Sequence, residues 1–240
     1  MSPDEKSMLV FWSAVAVVAV IAYLVHRAYE RRRTREWQAF AASLGCAFSE
    51  KDPFGMLRTC DHPVFQQGHS RRVTNVLHGH YRDRPIRCFD YRYTVGGGKN
   101  SHTYYLTLLL AQAPVPFEAM VVRPEHFGDA LAAMVGFDDI DFESDEFSRR
   151  FHVTCSDRRF AYDVLHQRAM EFLLQHPDLT IQTTSVSMVF LLAGAGRLQI
   201  PAQVRGLLDL GCDFMDLLPE HLLRERAAVA EAGTSTAPSE

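Results

Sequence analysis

Arg72-Val-Thr-Asn-Val-Leu-His-Gly-His-Tyr81 and Ile86-Arg-Cys-Phe-Asp-Tyr-Arg-Tyr-Thr-Val95 decide the fold. In both stretches the side chains alternate with a period of two, which is typical of β-strands. The residues between them, Arg82-Asp-Arg-Pro85, are turn formers. The two stretches therefore predict an antiparallel hairpin. Its predicted faces are Val73, Asn75, Leu77, Gly79 and Tyr81 on the first strand, and Arg87, Phe89, Tyr91, Tyr93 and Val95 on the second, with Cys88, Asp90 and Arg92 opposite.

A glycine run with a lysine, Gly96-Gly-Gly-Lys-Asn100, follows the second strand. A phosphate-binding P-loop requires GxxxxGK[ST] between a strand and a helix, so that backbone N–H groups and a helix N-terminus meet the phosphate. Here Asn100 follows the lysine, and the next segment alternates again as a strand. The glycine run therefore predicts a hairpin tip. The face predicted for the third strand holds His102, Tyr104, Leu106, Leu108 and Leu110.

The remainder of the chain mixes short strands with helices, so the predicted fold class is α+β, mostly antiparallel, with a closing C-terminal amphipathic helix. Val204, Leu207, Leu208, Phe214 and Leu218 mark that closing helix. The other predicted elements are a strand at Phe117–Val122, a helix near 125–134, a strand at Phe151–Cys155, a helix capped by Ser156 or Asp157 and running through Leu165, a helix at Gln167–Gln175, and a hairpin of Thr180–Thr184 and Ser187–Ala193.

One segment is far more apolar than the rest. Met8–Val25 contains no charged residue, and its eighteen residues are about the minimum that spans a hydrocarbon core. A cleaved signal peptide would need a basic start and a small-x-small cleavage site, and the flanks of this segment have neither. Residues 8–25 are therefore predicted to form an uncleaved transmembrane helix.

Flanking charge predicts the orientation of that helix. Five arginines follow it, whereas Lys6 alone precedes it, and positive residues stay cytoplasmic. The chain is thus expected in the plasma membrane as a single-pass protein with its N-terminus outside. The predicted segments are an extracytoplasmic N-terminus (1–7), a juxtamembrane helix ended by Gly45 (26–45), a cytosolic α+β domain (46–222) and a disordered tail (227–240). The membrane-flanking residues are Arg27, Arg31, Arg32, Arg33 and Arg35.

Charge is unevenly divided along the chain. Residues 27–100 hold 14 Lys/Arg against 7 Asp/Glu, whereas residues 101–240 hold 10 against 20. The basic half adjoins the predicted anchor, as suits an anionic inner leaflet. Nucleic acid is not expected as a partner, because the positive charge forms no stripe and the net charge is −4. The five scattered cysteines include no CxxC pair, which favours buried reduced thiols.

Few residues suggest chemistry. His78 and His80 share a predicted strand face and are weak candidates for a metal site, but nothing at metal-ligand spacing completes the set. No nucleophile motif is present, so the catalytic residues are unknown and no cofactor is predicted. An acidic run lacks the order of an EF-hand loop and is either a solvated loop paired with nearby arginines or a weak protein-binding candidate. Its members are Asp138, Asp139, Asp141, Glu143, Asp145 and Glu146.

Three stretches resemble a bacterial family of single-pass membrane proteins of unknown function: GHSRRVTNVLHG, FDYRYTVGGGKNSHTYY and DFESDEFSRRFHVTCSDRRFAYDVLHQRAMEFLL. The similarity covers roughly residues 36–220, and 141–174 is its most specific part. It implies bacterial origin and an anchored cytosolic domain, and it carries over no catalytic or binding residue.

Two hypotheses follow for function. The first is a non-enzymatic, membrane-tethered binding or scaffolding domain, with the lipid bilayer and a basic protein surface as partners. The alternative is a membrane-attached metal-dependent or acid/base enzyme, in which His78, His80 and distant carboxylates converge. The two differ in whether those imidazoles point into a shared cleft.

Overall fold

The computed structural model describes residues 3–125, 139–185, 187–192 and 196–234. It confirms the α+β class: eight strands form one sheet in the order β1-β2-β3-β4-β8-β7-β5-β6, and every neighbouring pair is antiparallel. The strands are β1 (Ala47–Lys51), β2 (His69–Tyr81), β3 (Arg84–Val95), β4 (His102–Gln112), β5 (Met120–Pro124), β6 (Phe151–Cys155), β7 (Leu179–Thr183) and β8 (Ser187–Leu192).

Helices cover both ends of the chain and fill the connections. The helices are α1 (Pro3–Ser43), α2 (Met56–Thr59), α3 (Pro63–Gln66), α4 (Asp145–Arg150), α5 (Arg158–Val164), α6 (Gln167–Gln175), α7 (Pro201–Asp216) and α8 (Glu220–Thr234). Asp157 caps α5 by accepting a hydrogen bond from the Arg159 backbone N–H, as its position in the sequence predicts. The predicted helix near 125–134 lies outside the described residues, apart from Glu125.

The β2–β3 hairpin forms as predicted, with a shorter turn. Arg82 and Asp83 both have positive φ, 46° and 61°, which is the backbone of a tight two-residue hairpin loop. The glycine run is likewise a hairpin tip, since a short 3-10 turn at Gly98–Asn100 connects β3 to β4. Strand β5 begins three residues later than predicted.

The prediction of one continuous alternation along β2 is wrong. The register between β2 and β3 shifts between Thr74 and Leu77, and Asn75 adopts a positive φ of 52°. Such a bulge inserts one extra residue and reverses the faces beyond it. Val73 consequently packs with Val76 on one face, whereas Leu77 belongs to the core on the other.

Both faces of the sheet are buried. The larger core includes Cys88 and Leu109 from the sheet together with buried side chains of α1, α5, α6 and α7. The smaller core fills the space between β2–β4 and the α2–α3 segment. Its members are Met56, Val64, Phe65, Val73, Val76, Phe89, Tyr91, Tyr93, Leu106, Leu108 and Leu110.

Helix α1 belongs to the sheet domain over its last three turns. Trp37 and Ala41 are fully buried, and Gly45 follows the helix with a φ of 70°, as expected for a left-handed C-cap. The division into a juxtamembrane helix 26–45 and a domain 46–222 therefore does not match the packing, because the C-terminal part of α1 supplies core side chains.

The C-terminus also differs from the prediction. Disorder was expected from Ala227, but α8 continues to Thr234, and residues 235–240 lie outside the described part. Arg226 holds the helix in place: its guanidinium lies 4.9 Å from the Phe160 ring and donates to Glu118 at 2.6 Å. The composition of the segment after Ala227 did not predict this helix, because Arg226, the side chain that anchors α8, precedes that small and polar segment.

Candidate functional site

A buried carboxylate, Asp90, connects α1 to the middle of the sheet. Arg33 of α1 donates to both of its oxygens, with Nη2 at 2.9 Å from Oδ1. The two side chains are only 1% and 6% exposed. Arg33 also donates to the Leu198 carbonyl, and its guanidinium lies 4.7 Å from the ring centroid of Trp37. Two parallel hydrogen bonds of this kind fix geometry as well as charge.

Two neutral side chains also donate hydrogen bonds to Asp90. The Asn75 amide donates to Oδ2 at 2.9 Å, and the Thr107 hydroxyl donates to Oδ1 at 3.2 Å. The β2 bulge at Asn75 thus has a clear structural consequence, because it turns a polar side chain toward the buried pair. Asn75 also accepts from the Thr34 hydroxyl of α1 at 3.2 Å.

A second arginine, Arg197, extends the network toward the surface. It donates to Asp90 at 3.0 Å and makes two hydrogen bonds of 2.7 Å to the Glu30 carboxylate. Burial opposes the charge on Arg197, but hydrogen bonds and Coulombic attraction from Glu30 and Asp90 outweigh it and raise the pKa of Arg197. The hydrogen bonds from Arg197 in turn lower the pKa of Glu30. Arg197 and Glu30 therefore both stay ionised.

The network forms the floor of an open cavity of about 650 Å³ beside α1, which we call the α1 cleft. Its walls come from α1, from the adjoining parts of β2, β3 and β4, and from the segment before α7. The lining residues are His26, Tyr29, Glu30, Arg72, Thr74, Asp90, Tyr91, Arg92, Tyr105, Arg197 and Gln199.

Two arginines of the α1 cleft face each other across strands. Arg72 of β2 and Arg92 of β3 are directly opposed in the sheet register. Like charges in this position repel each other. Neither guanidinium has an ion-pair or hydrogen-bond partner within the ranges that the structure describes. The cleft therefore holds two positive charges that no side chain of the described residues neutralises.

Exposed apolar side chains gather at the same end of the sheet. Outside the apolar run, six large hydrophobic residues of the described chain are more than 40% exposed. Two of them, Tyr29 and Tyr105, line the α1 cleft, and two more follow closely after lining residues: Ile200 after Gln199, and Val95 three residues after Arg92 on β3. Tyr29 donates to Gln199 at 2.8 Å, which places α1 beside the start of α7. We call this region the cleft end, defined by Tyr29, Val95, Tyr105 and Ile200.

The two candidate histidines do not converge. His78 is half-buried, packs edge-to-face on Phe54 at 5.0 Å, and lines a separate cavity of about 580 Å³ with Cys60 and Asp61. His80 is exposed and does not line that cavity. Among the residues with described positions, no group of three His, Cys, Asp or Glu side chains is placed to hold a metal ion.

The acidic run divides into separate roles. Asp138 lies outside the described residues. Asp139 accepts from the Val153 backbone N–H at 3.2 Å and lies 3.1 Å from His152, so it covers the open edge of β6. The remaining four carboxylates are exposed, and Glu146 pairs with Arg150 one turn later in the chain. We call these four the acidic surface: Asp141, Glu143, Asp145 and Glu146.

The arginines that follow the apolar run are not equivalent. Arg33 is buried in the Asp90 network, whereas Arg27, Arg31, Arg32 and Arg35 are exposed. Arg32 forms an i,i+4 pair with Glu36 at 2.8 Å. Composition could not single out Arg33, because its partner lies 57 residues away.

The cysteines are inert by environment. All five are free, and four are buried. Burial raises the pKa of Cys88 and raises that of Cys155 to about 11, so both thiols stay protonated.

Comparison with known proteins establishes a fold and nothing closer. No family model and no curated protein matches the sequence. The crystal structure of the mycobacterial trehalose monomycolate transport factor A, TtfA, is similar with a TM-score of 0.60 and 16% sequence identity. The alignment covers 78% of this chain and 95% of TtfA. The chain therefore shares the fold of a transport factor.

Proposed function

We propose that this chain is a membrane-anchored, non-enzymatic binding and scaffolding module at the inner face of a bacterial plasma membrane. The observation that carries the proposal is the continuity of α1, which runs unbroken from Pro3 to Ser43. In the described part of the chain it is the helix long and apolar enough to cross a membrane, and its apolar window is fully exposed. Its other half is fixed to the sheet through Arg33 and Trp37. One continuous helix thus joins the proposed anchor to the domain.

The helix geometry sets the height of the domain above the bilayer. Glu30 lies five residues beyond Val25, which corresponds to about 7 to 8 Å along a helix. The polar layer on each side of a bilayer is roughly 5 to 8 Å thick. The cleft end therefore lies at the level of the lipid headgroups. Its exposed Tyr29 and Tyr105 support this placement, because tyrosine rings are enriched at membrane interfaces.

The acidic surface is the proposed site for a protein partner. It adjoins β6, which is the edge of the sheet opposite β1, the strand beside α1. Four exposed carboxylates favour a partner with a basic surface, whose approach they would accelerate electrostatically.

The likeness to TtfA supports a more specific expectation by analogy. TtfA is described as a trehalose monomycolate transport factor, and we propose that this chain likewise assists the transport of a lipid. The proposed orientation rests on the five arginines after the span, and the proposed bacterial origin rests on the resemblance of residues 36–220 to a bacterial membrane protein family.

Native capture of the full-length chain tests the proposal. Cells would express wild type, a variant with the acidic surface neutralised (D141N, E143Q, D145N, E146Q) and a control with four exposed carboxylates neutralised elsewhere (E50Q, D83N, E171Q, E220Q). Each protein would be crosslinked in the membrane and purified in mild detergent. Mass spectrometry would then quantify the co-purifying proteins.

We expect a stoichiometric partner that the first variant loses and the control retains. Equal capture by both variants would contradict a partner site at the acidic surface. A purified chain that turns over a substrate, or that carries a bound metal, would overturn the non-enzymatic reading and direct attention to His78.

A further inference from the structure

We propose that the α1 cleft binds the phosphate of an anionic phospholipid headgroup through Arg72 and Arg92. This inference rests on the proposed membrane anchoring and deepens it, because it assigns a ligand to the cleft end. The ligand chemistry is a phosphate ester, and the source to which we assign it is the lipid of the surrounding leaflet.

The charge of the cleft selects an anion. Its carboxylates, Glu30 and Asp90, are both hydrogen-bonded to Arg197, and Arg33 reaches Asp90 from beneath. Those two carboxylates balance those two guanidinium groups. Arg72 and the directly opposed side chain of β3 are left over, so the site carries a net charge of about two positive units.

The arrangement of the pair suits a phosphate. Two guanidinium groups on adjacent strands repel each other unless an anion lies between them. A phosphate diester offers oxygen atoms to both, and arginine binds such oxygens in parallel pairs of hydrogen bonds. The network beneath holds β2 and β3 in a fixed register through Asn75 and Asp90, so the strands that carry the pair are held in place before the ligand arrives.

The proposed depth of the α1 cleft, at the headgroup layer of the bilayer, favours a lipid over a soluble phosphate ester as the ligand. His26, Tyr29 and Glu30 line it from α1, and they lie one to five residues beyond the apolar run, at headgroup depth. Tyr105 is 48% exposed and forms part of the opposite wall. A headgroup could therefore enter from the side while its acyl chains remain in the bilayer.

Lipid retention by the full-length chain tests the inference. The protein would be titrated with phosphatidylglycerol in phosphatidylcholine mixed micelles, and native mass spectrometry would count the retained lipids. The variants are R72Q/R92Q, the charge-retaining R72K/R92K, and a matched control, R31Q/R35Q, which removes two exposed arginines from α1 outside the cleft. A parallel arm adds soluble sn-glycerol 3-phosphate.

We expect one tightly retained phosphatidylglycerol on wild type and a loss of affinity of roughly 10- to 30-fold in R72Q/R92Q, as expected when two direct arginine–phosphate contacts are lost. The control should change by less than threefold. The lysine pair should bind a few-fold less tightly than wild type, because it keeps the charge and loses the paired hydrogen bonds. If R72Q/R92Q does not fold, the affinity of R72K/R92K still tests whether the two arginines bind the lipid phosphate.

Equal losses in the glutamine pair and the control would reduce the effect to diffuse charge and overturn the site. Displacement of the lipid by an equal concentration of sn-glycerol 3-phosphate would overturn the lipid assignment. Carbonate extraction of the cell membranes from which the chain is purified separates the proposal of membrane anchoring from the proposal of a lipid site. A chain that leaves the membrane contradicts the anchoring itself, whereas an embedded chain without lipid preference contradicts only this inference.

Discussion

Replacing Asp90 by alanine should destabilise the whole domain, because it removes the carboxylate at the centre of the buried network. Four side chains donate to Asp90: Arg33, Asn75, Thr107 and Arg197. In the variant, Arg197 keeps Glu30, but Arg33 keeps only a backbone carbonyl and becomes an uncompensated buried charge. Breaking a buried pair in this way costs about 3 to 5 kcal/mol. That is a large part of the roughly 5 to 15 kcal/mol by which domains are stable.

Urea unfolding of the full-length chain in non-ionic detergent measures this cost. Trp37 is fully buried and sits beside Arg33, so its fluorescence reports the network, and Trp12→Phe removes the other tryptophan. With a slope near 2 kcal/mol/M, the midpoint should fall by about 1.5 to 2.5 M. The matched control is Asp213→Ala, which breaks an ion pair with both side chains nearly half exposed. It should cost at most about 1 kcal/mol.

Removing both charges at once separates the energetic contribution of the Arg33–Asp90 ion pair from that of the side chains around it. The variant Arg33→Met/Asp90→Leu removes both charges, so it should be more stable than Asp90→Ala alone by at least about 1 kcal/mol. If Asp90→Ala costs no more than Asp213→Ala, the claim that the Arg33–Asp90 ion pair fixes α1 to the sheet is refuted.

Three further outcomes follow from the structure. Burial lowers the pKa of His62 from 6.5 to about 4, so the unfolded chain binds the extra proton, and the contribution of His62 to the free energy of unfolding should fall by roughly 3 kcal/mol between pH 6.5 and pH 4. In urea titrations His62→Leu should remove most of the slope between pH 6.5 and about 5, whereas below that range the lowered pKa of Glu30 adds a loss of its own. Gly68→Ala should lower the free energy of unfolding by about 2 to 4 kcal/mol in the same assay, because φ is +58° and the added Cβ would lie 2.2 Å from the Thr94 carbonyl oxygen. The control Gly97→Ala, whose added Cβ meets open space, should change the free energy of unfolding by less than about 0.5 kcal/mol. A thiol reagent should leave Cys88 unmodified at pH 8 in the folded chain, since it is fully buried with a raised pKa; rapid modification would contradict the packing of the larger core.

The sequence predicted the fold well where periodicity is local. The β2–β3 hairpin, the glycine tip and α6 follow from alternation, turn residues and a helical pattern, each contained in fewer than 30 residues. The β2 bulge escaped the same reasoning, because Asn75 in a left-handed conformation is selected by its contacts to Asp90 and Thr34, which lie far away in the chain.

The candidate site was largely beyond the reach of the sequence. In the sequence Arg33 is one of five membrane-flanking arginines, and Asp90 lies on the polar face of a predicted strand. Only the packing of α1 on the sheet brings the two side chains together. Arg72 and Arg92 share a predicted hairpin, so their proximity was predictable, but the absence of carboxylate partners among the described residues is a property of the folded surface. Conversely, His78 and His80 share a strand but not an environment.

The most direct test of the account asks which end of the sheet touches the membrane. One tryptophan would be added in place of Val95 or of Asp83 in the Trp12→Phe chain, in which buried Trp37 gives the baseline signal. The two positions lie at opposite ends of β3, twelve residues or about 40 Å apart. In nanodiscs whose lipids carry a nitroxide on the headgroup, we expect strong quenching of the tryptophan at position 95 and none beyond the baseline at position 83. Equal quenching at the two positions, or stronger quenching at 83, would contradict a domain seated on the bilayer by its cleft end.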